Sequence, residues 1–307
     1  MLFAMRPQEF LDREDQERAS DIPSTPSVIA AISLLTDQDP AITKKCRAQI
    51  LAWGGRVRPL LEEAANTGDS ALRSKADTML RSMDLQEWHH RVEEFASIMP
   101  RVGQTSWETL EYGVVLLSSM GRRISDVGVS DVRQTLDRYA EELAPRFRGK
   151  SAMTCSRLLS GYLSNKLGYS GSQSSFYEVS NVQFDKVVTA RRGVPVALAL
   201  LFILIGRRAG LEVTGVAIPD HFLVRVRGTR PVLLDPYHEG RQVTKADCVR
   251  YLRIAGYSLH TTSYLEDVHD CQILDCLLRN LLRVYGYRED NELCSILENA
   301  RQTLVQT

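Results

Sequence analysis

Two residues in the second half of the chain, His221 and Asp235, have the side chains that support a nucleophile in many catalytic sites. The segment 193–195 reads Gly-Val-Pro and precedes a long apolar run, so Pro195 stands where a helix would begin. His221 opens a strand-like run and Asp235 closes the next one. In such a site a carboxylate orients an imidazole, which takes a proton from a nucleophile. Proline has no side chain that can attack a substrate, so Pro195 cannot itself supply a nucleophile at this helix start.

The elements expected around these positions are a buried helix and a hairpin. Pro195 suits a first helical turn because its φ is fixed and its missing N–H has no intrahelical partner there. Residues 196–205 are apolar on every side, which predicts a helix buried against a sheet. Strand-like runs follow at 212–218, 221–226 and 231–235, the last two forming a hairpin. A three-residue turn centred on Gly228 would set His221 directly opposite Asp235.

Five ordered blocks of sequence resemble the SirB-type branch of the transglutaminase-like proteins, within the papain-like superfamily. The blocks are Leu-Gly-Tyr-Ser-Gly at 167–171, Arg-Arg-Gly-Val-Pro at 191–195, Arg-Arg-Ala-Gly-Leu at 207–211, Pro-Asp-His-Phe-Leu-Val-Arg at 219–225 and Leu-Asp-Pro-Tyr at 234–237. The resemblance implies that Pro195 occupies the place of the nucleophilic cysteine, with His221 and Asp235 as remnants of a triad. Members of this branch commonly lack that cysteine, so the resemblance implies a protein without nucleophilic activity.

The resemblance also implies a ligand cleft beside the pair. The residues expected to line it are Arg192, Gly193, Val194, Asn181, Asp220 and Tyr237. A helix amino terminus carries partial positive charge and free N–H groups, and Arg191 and Arg192 add to it. The expected ligand is therefore an acidic side chain or a terminal carboxylate of a protein or peptide partner. The sequence departs from the family at Asp220, where glycine is usual, and at Ser172, where asparagine is usual.

Three interpretations of the pair stay open at the level of sequence. His221 and Asp235 satisfy each other inside the fold, or they line the ligand cleft, or His238 joins them as metal ligands. The spacing does not demand a metal, and neither a metal nor a cofactor is expected. The favoured function is a non-catalytic protein-interaction or regulatory module. The alternatives are a hydrolase or acyl transferase with a displaced nucleophile, and a metal-assisted hydrolase.

Composition and charge exclude several classes of function. The 307 residues include 38 basic and 38 acidic ones, and this zero net charge offers no long-range attraction to nucleic acid. The six cysteines form no CxxC pair, which favours reduced thiols over a zinc site or disulfides and predicts a cytoplasmic protein. The longest apolar run, 194–205, is too short to span a bilayer, which needs about 20 residues. The oligomeric state is not indicated.

The predicted fold class is α+β in four segments. Residues 1–26 form an acidic, flexible arm, and residues 27–86 form helices that resemble HEAT repeats, with Asp39 and Asp69 as amino-terminal caps. Residues 87–266 form the transglutaminase-like domain, with its central buried helix against a small antiparallel sheet. Residues 267–307 form a helical tail that resembles a truncated tetratricopeptide-like segment.

Overall fold

A computed structural model describes residues 24–100, 102–123, 127–172, 178–257 and 265–306. The predicted acidic arm lies outside the described residues up to position 23, and the first helix begins at Thr25. The α-helices of the described residues are α1 (Thr25–Ser33), α2 (Pro40–Trp53), α3 (Arg58–Thr67), α4 (Ser70–Ile98), α5 (Trp107–Ser118), α6 (Val129–Phe147), α7 (Ala152–Ser160), α8 (Phe184–Ala190), α9 (Pro195–Arg208), α10 (Lys245–Ile254), α11 (Asp270–Tyr287) and α12 (Asn291–Gln306). The strands are β1 (Ser170–Gly171), β2 (Arg192–Gly193), β3 (Val213–Ile218), β4 (His221–Val226), β5 (Val232–Asp235) and β6 (Arg241–Val243). No helix of these residues is both long and apolar enough to cross a membrane.

The described residues divide into two compact units, and the first reaches to His90 and includes Met120–Arg123. Helices α1 to α3 and the amino-terminal part of α4 enclose its core, whose larger members are Val28, Ile32, Leu35, Ile50, Leu61, Met79 and Met83. Both predicted caps are confirmed, since carboxylate oxygens of Asp39 and Asp69 each accept a backbone N–H at 2.8 Å. Helix α4 runs through the predicted boundary at residue 86, and the HEAT-like character of this region stays a prediction.

The second unit begins at Arg91 and holds the predicted buried helix and sheet, which are confirmed. Every residue of α9 from Pro195 to Gly206 is buried. The helix packs against β3, β4 and a 3₁₀ turn at Pro236–His238. Strands β3, β4, β5 and β6 form one antiparallel sheet in that order. The pairing of β1 with β2, and the strand β6, were not predicted.

The predicted register of the β4–β5 hairpin is wrong by two residues. Val226 pairs with Val232, so the connecting loop contains five residues instead of three. Pro231 was predicted to lie in the strand, but it has no N–H to donate to a ladder, and pairing starts one residue later. The same register continued along the strands places Asp235 opposite Leu223. A shift of two residues keeps every side chain on its face of the sheet, so His221 and Asp235 are diagonal neighbours on one face.

The predicted helical tail is confirmed as α11 and α12, which pack against each other. Its first residue, Asp270, is fully buried and pairs with Arg207 at the end of α9 through two contacts of 2.8 Å. Thr105 also donates to Asp270 from its backbone and its hydroxyl. These contacts join α11 to the carboxyl end of the central helix.

Candidate functional site

His221 and Asp235 form a hydrogen-bonded pair at the first residue of β4 and the last residue of β5. Nε2 of His221 lies 2.9 Å from Oδ1 of Asp235, and the two side chains are 10% and 3% exposed. The bond uses Nε2, so Nδ1 is the imidazole nitrogen left for another group. The predicted meeting of histidine and carboxylate is therefore confirmed, by a diagonal contact instead of a direct one.

His238 approaches the second oxygen of the same carboxylate. Its Nδ1 lies 2.8 Å from Oδ2 of Asp235, and its backbone N–H donates to Oδ1 at 3.2 Å. Asp235 thereby caps the Pro236–His238 turn. Nε of Arg241 lies 3.6 Å from Oδ2, on a side chain that is 63% exposed. One buried carboxylate therefore binds two imidazoles and lies beside a guanidinium.

The surroundings of Asp235 favour its charged form. Burial alone would raise the pKa of this carboxyl, but hydrogen bonds with His221 and His238 and their nearby charge outweigh burial and lower the pKa below its ordinary value of 3.8. Asp235 is therefore a permanent anion at neutral pH.

One contact of the central helix with the β3–β4 hairpin lies at the end of the hairpin away from this pair. A Cβ at Gly206, near the carboxyl end of α9, would lie 2.7 Å from Val213. Val213 pairs with Val226, whereas His221 is at the opposite end of the hairpin. His221 therefore lies at the other end of the hairpin from the Gly206–Val213 contact.

Tyr237 connects the pair to strand β1, which pairs with the residues before α9. Its ring lies edge-on to His221 with centroids 5.8 Å apart, and its hydroxyl donates to the Ser172 carbonyl at 2.7 Å. The ring covers Gly171, where a Cβ would lie 2.5 Å away. Gly171 pairs with Gly193, two residues before Pro195. Tyr237 thus packs against both His221 and Gly171, and Gly171 pairs with the segment that leads into α9.

The other residues predicted to line a cleft take different positions. The Val194 N–H donates to the backbone carbonyl of Asn181 at 2.9 Å, which fixes the entry into α9. The guanidinium of Arg192 donates to the Gly168 carbonyl at 2.7 Å. Asp220 adopts a left-handed φ of 55° in the β3–β4 turn. The structure thus brings Asn181 and Val194 together, whereas the Arg192 guanidinium binds the turn before β1.

Asp220 stands where the resemblance has glycine, and its backbone gives the reason for that preference. Glycine adopts a left-handed φ without the steric cost of a Cβ, and aspartate tolerates it better than most residues. The Asp220 carboxylate accepts a hydrogen bond from the Tyr257 hydroxyl at 2.7 Å. Aspartate at this position keeps the left-handed backbone that glycine would adopt and adds a side-chain contact with Tyr257.

No described thiol or hydroxyl binds the imidazole of His221. Among the described residues its hydrogen-bond partner is Asp235 alone, and Pro195 is buried at the start of α9. Cys248, one possible substitute, is buried, and burial followed by the nearby Asp247 charge raises the pKa of its thiol. Cys155 lies near backbone carbonyls of residues 147 and 150. The described residues hold no activated nucleophile at this imidazole.

Sequence reasoning missed two contributors to this site. Arg241 enters through β6, a short strand without a clear sequence pattern. Tyr251 approaches from α10, with its ring centroid 6.0 Å from that of His221 and its hydroxyl 3.3 Å from the Pro219 carbonyl. The spacing of Asp235 and His238 around Pro236 was a usable signal, because an aspartate before a proline-started turn caps the turn.

Comparison with known proteins agrees with this fold. Residues 130–282 match the Transglutaminase-like superfamily, so the chain contains a domain of that superfamily. It is homologous to UPF0162 proteins. It is 41% identical over 131 residues to a UPF0162 protein of Xylella fastidiosa (strain Temecula1), which covers 41% of this chain and 47% of that protein. It is 32% identical over 73 residues to a UPF0162 protein of Vibrio cholerae, covering 23% of this chain and 27% of that protein.

A human protein is also similar over a longer stretch. F-box only protein 21 of Homo sapiens is 25% identical over 214 residues, which covers 60% of this chain and 33% of that protein. The matched part of the chain spans about half the length of the Xylella protein and about a third of the human one. No solved structure matches the chain.

Proposed function

We propose that this chain is a SirB-type transglutaminase-like protein that acts as a non-catalytic interaction or regulatory module. The observation that supports the proposal is the assembled histidine–aspartate pair, together with a proline at position 195, where the resemblance places the nucleophile. Without a thiol the imidazole has no proton to take, and a covalent mechanism loses its first step. The retained pair then serves to shape a site for a partner instead of cleaving one.

The partner that the site suits is a protein or peptide. The positive end of the α9 helix dipole lies at Pro195 and favours a carboxylate over a cation in its surroundings. Tyr237 and Tyr251 add aromatic surface beside His221, and aromatic residues are enriched where proteins bind one another. Free thiols at all six cysteines suit the reducing cytoplasm that the sequence predicts.

Restoring the nucleophile tests whether the remnant of a triad is real. In the Pro195→Cys variant we expect the pKa of the new thiol to be lowered, because an imidazole within reach stabilises a thiolate. The ultraviolet absorbance of the thiolate measures this pKa, since position 195 is buried and a thiol reagent would report access instead. The matched control is the same variant with the added substitution His221→Ala, which should remove the lowering. An equal pKa with and without His221 would show that the imidazole does not face position 195 and would overturn the remnant-triad interpretation.

A comparison of bound proteins tests the interaction role itself. Wild type and His221→Ala would be used as bait, with His90→Ala on α4 as a control in the other unit, and bound proteins would be identified by mass spectrometry. We expect His221→Ala alone to lose a defined subset. An unchanged set of partners would remove the site from the proposed function. Turnover of amide or ester substrates by wild type, abolished in His221→Ala, would instead favour the enzymatic alternative.

A further inference from the structure

We propose that His221, Asp235 and His238 form a binding site for a divalent transition-metal ion of the zinc type. This inference is independent of the proposed function, since binding an ion requires neither a nucleophile nor a partner. One ligand atom from each residue lies within 4.8 Å of the other two. Two imidazoles and one carboxylate are a ligand set that zinc sites commonly use.

The type of donor atoms selects the class of ion. Magnesium and calcium prefer oxygen ligands, and this cluster offers two nitrogens beside one carboxylate. Imidazole nitrogen suits zinc and its first-row neighbours. Thiolate is not part of the cluster, which separates it from structural zinc sites built on cysteine.

The elements that carry the ligands favour a site with one fixed side and one open side. His221 and Asp235 belong to paired strands and are almost fully buried, so their positions are set by the sheet. His238 ends a 3₁₀ turn, and its side chain is 52% exposed. An ion can therefore enter from solvent on the His238 side and meet two ligands already in place.

The distances show how much the site must move on binding. Zinc–nitrogen bonds of about 2.0–2.1 Å place tetrahedral ligand atoms about 3.4 Å apart. Because the three ligand atoms lie within 4.8 Å of one another, no separation has to shorten by more than about 1.4 Å. Rotation of the exposed His238 side chain can supply a movement of this size. The ion would replace the two hydrogen bonds between Asp235 and the imidazoles.

Arg241 opposes the ion and provides a test with the opposite sign. Its guanidinium lies 3.6 Å from the Asp235 carboxylate. Its positive charge therefore repels a bound cation and offsets part of the attraction of the carboxylate. Loss of His238 should weaken binding, whereas loss of the Arg241 charge should strengthen it. A ligand held elsewhere on the surface would not respond to both changes in this way.

The experiment measures Zn²⁺ binding to the purified full chain after chelator treatment, by isothermal titration calorimetry. We expect one ion per chain, affinity at least about tenfold lower in His238→Ala, and higher affinity in Arg241→Gln. His90→Ala should leave the affinity unchanged. Co²⁺ bound at the same site should give a spectrum without thiolate charge-transfer bands. His238 is exposed enough for the variant to fold, which circular dichroism would verify.

Three results would overturn the inference. The first is the absence of saturable Zn²⁺ binding to wild type. The second is equal affinity of wild type and His238→Ala, which would assign the ion to another place. The third is a thiolate band in the Co²⁺ spectrum, which would assign it to the cysteines.

Discussion

Oδ1 of Asp235 lies 2.9 Å from Nε2 of His221, although the two residues are diagonal neighbours and not direct partners in the β4–β5 pair. The contact is reached because the two side chains share a face of the sheet, where diagonal neighbours lie within reach of long side chains. The same carboxylate uses its other oxygen for His238. Asp235 is therefore the residue on which the geometry of the whole cluster depends.

Replacing this carboxylate should destabilise the fold. We expect Asp235→Asn to lower the free energy of unfolding by about 1–3 kcal/mol, because an amide cannot accept from both imidazoles and leaves a buried polar group unpaired. Urea denaturation monitored by circular dichroism measures this loss. Glu239→Gln changes a neighbouring exposed carboxylate and should have no measurable effect. A loss of similar size in both variants would show that the contacts of Asp235 with the two imidazoles do not stabilise the fold.

The effect of this carboxylate should depend on pH in a defined direction. The folded pKa of Asp235 lies below its ordinary value of 3.8, so its contribution to stability is complete well above that value. The contribution is lost as the pH falls below 3.8 and through the folded pKa. Urea midpoints of wild type and Asp235→Asn should therefore differ most near neutral pH and converge in acid. Divergence in acid would mean that the folded pKa is raised.

The buried ion pair between Arg207 and Asp270 should be a sensitive polar contact of the second unit. Arg207→Ala leaves a fully buried carboxylate without its guanidinium, and we expect a loss of about 3–5 kcal/mol. Thermal or urea unfolding measures it. Arg146, whose pair with Glu142 is exposed, offers the control, and Arg146→Ala should change little. Equal effects of the two substitutions would show that burial does not decide the cost.

A single methyl group at Gly171 should disturb the site. Gly171→Ala places a Cβ 2.5 Å from the Tyr237 ring, so the ring must move, at a cost of about 1–3 kcal/mol. Gly161→Ala is the control, because nothing lies within 4 Å of the added Cβ there. Unfolding free energy measures the cost, and histidine NMR signals would report the displaced ring. Wild-type stability and unchanged signals would argue against the packing of Tyr237 on Gly171.

The stability of variants at position 220 should depend on how easily the new residue adopts a left-handed backbone. Asp220 has a φ of 55°, so Asp220→Gly should fold well, whereas Asp220→Val should lose about 1–2 kcal/mol more. Both variants lack the hydrogen bond with Tyr257, so their difference isolates the backbone cost. Urea unfolding of the two variants checks the prediction, which would fail if the valine variant were as stable as the glycine variant.

Much of the framework could be predicted from the chain, whereas the details of the site could not. Pro195 and the continuous apolar run after it predicted a buried helix, because no polar face remained to meet solvent. The histidine–aspartate contact was predicted from a register that is wrong by two residues. The contact still forms because side chains alternate between the faces of a strand, so a shift of two residues leaves both side chains on the same face. The place of His238 depends on a turn whose shape is set by contacts with Asp235. Arg241 reaches the carboxylate through sheet pairing that no local pattern indicates.

The link between Arg207 and Asp270 bears on how this protein can be divided. Arg207 lies in the last turn of the central helix and Asp270 begins the first helix of the tail. A chain shortened at residue 266 would therefore keep the guanidinium and discard its counter-ion. Such a fragment would expose the buried side of α9 to water. Measurements on it would describe a domain with a disrupted core. Isolation of the transglutaminase-like domain must therefore retain α11.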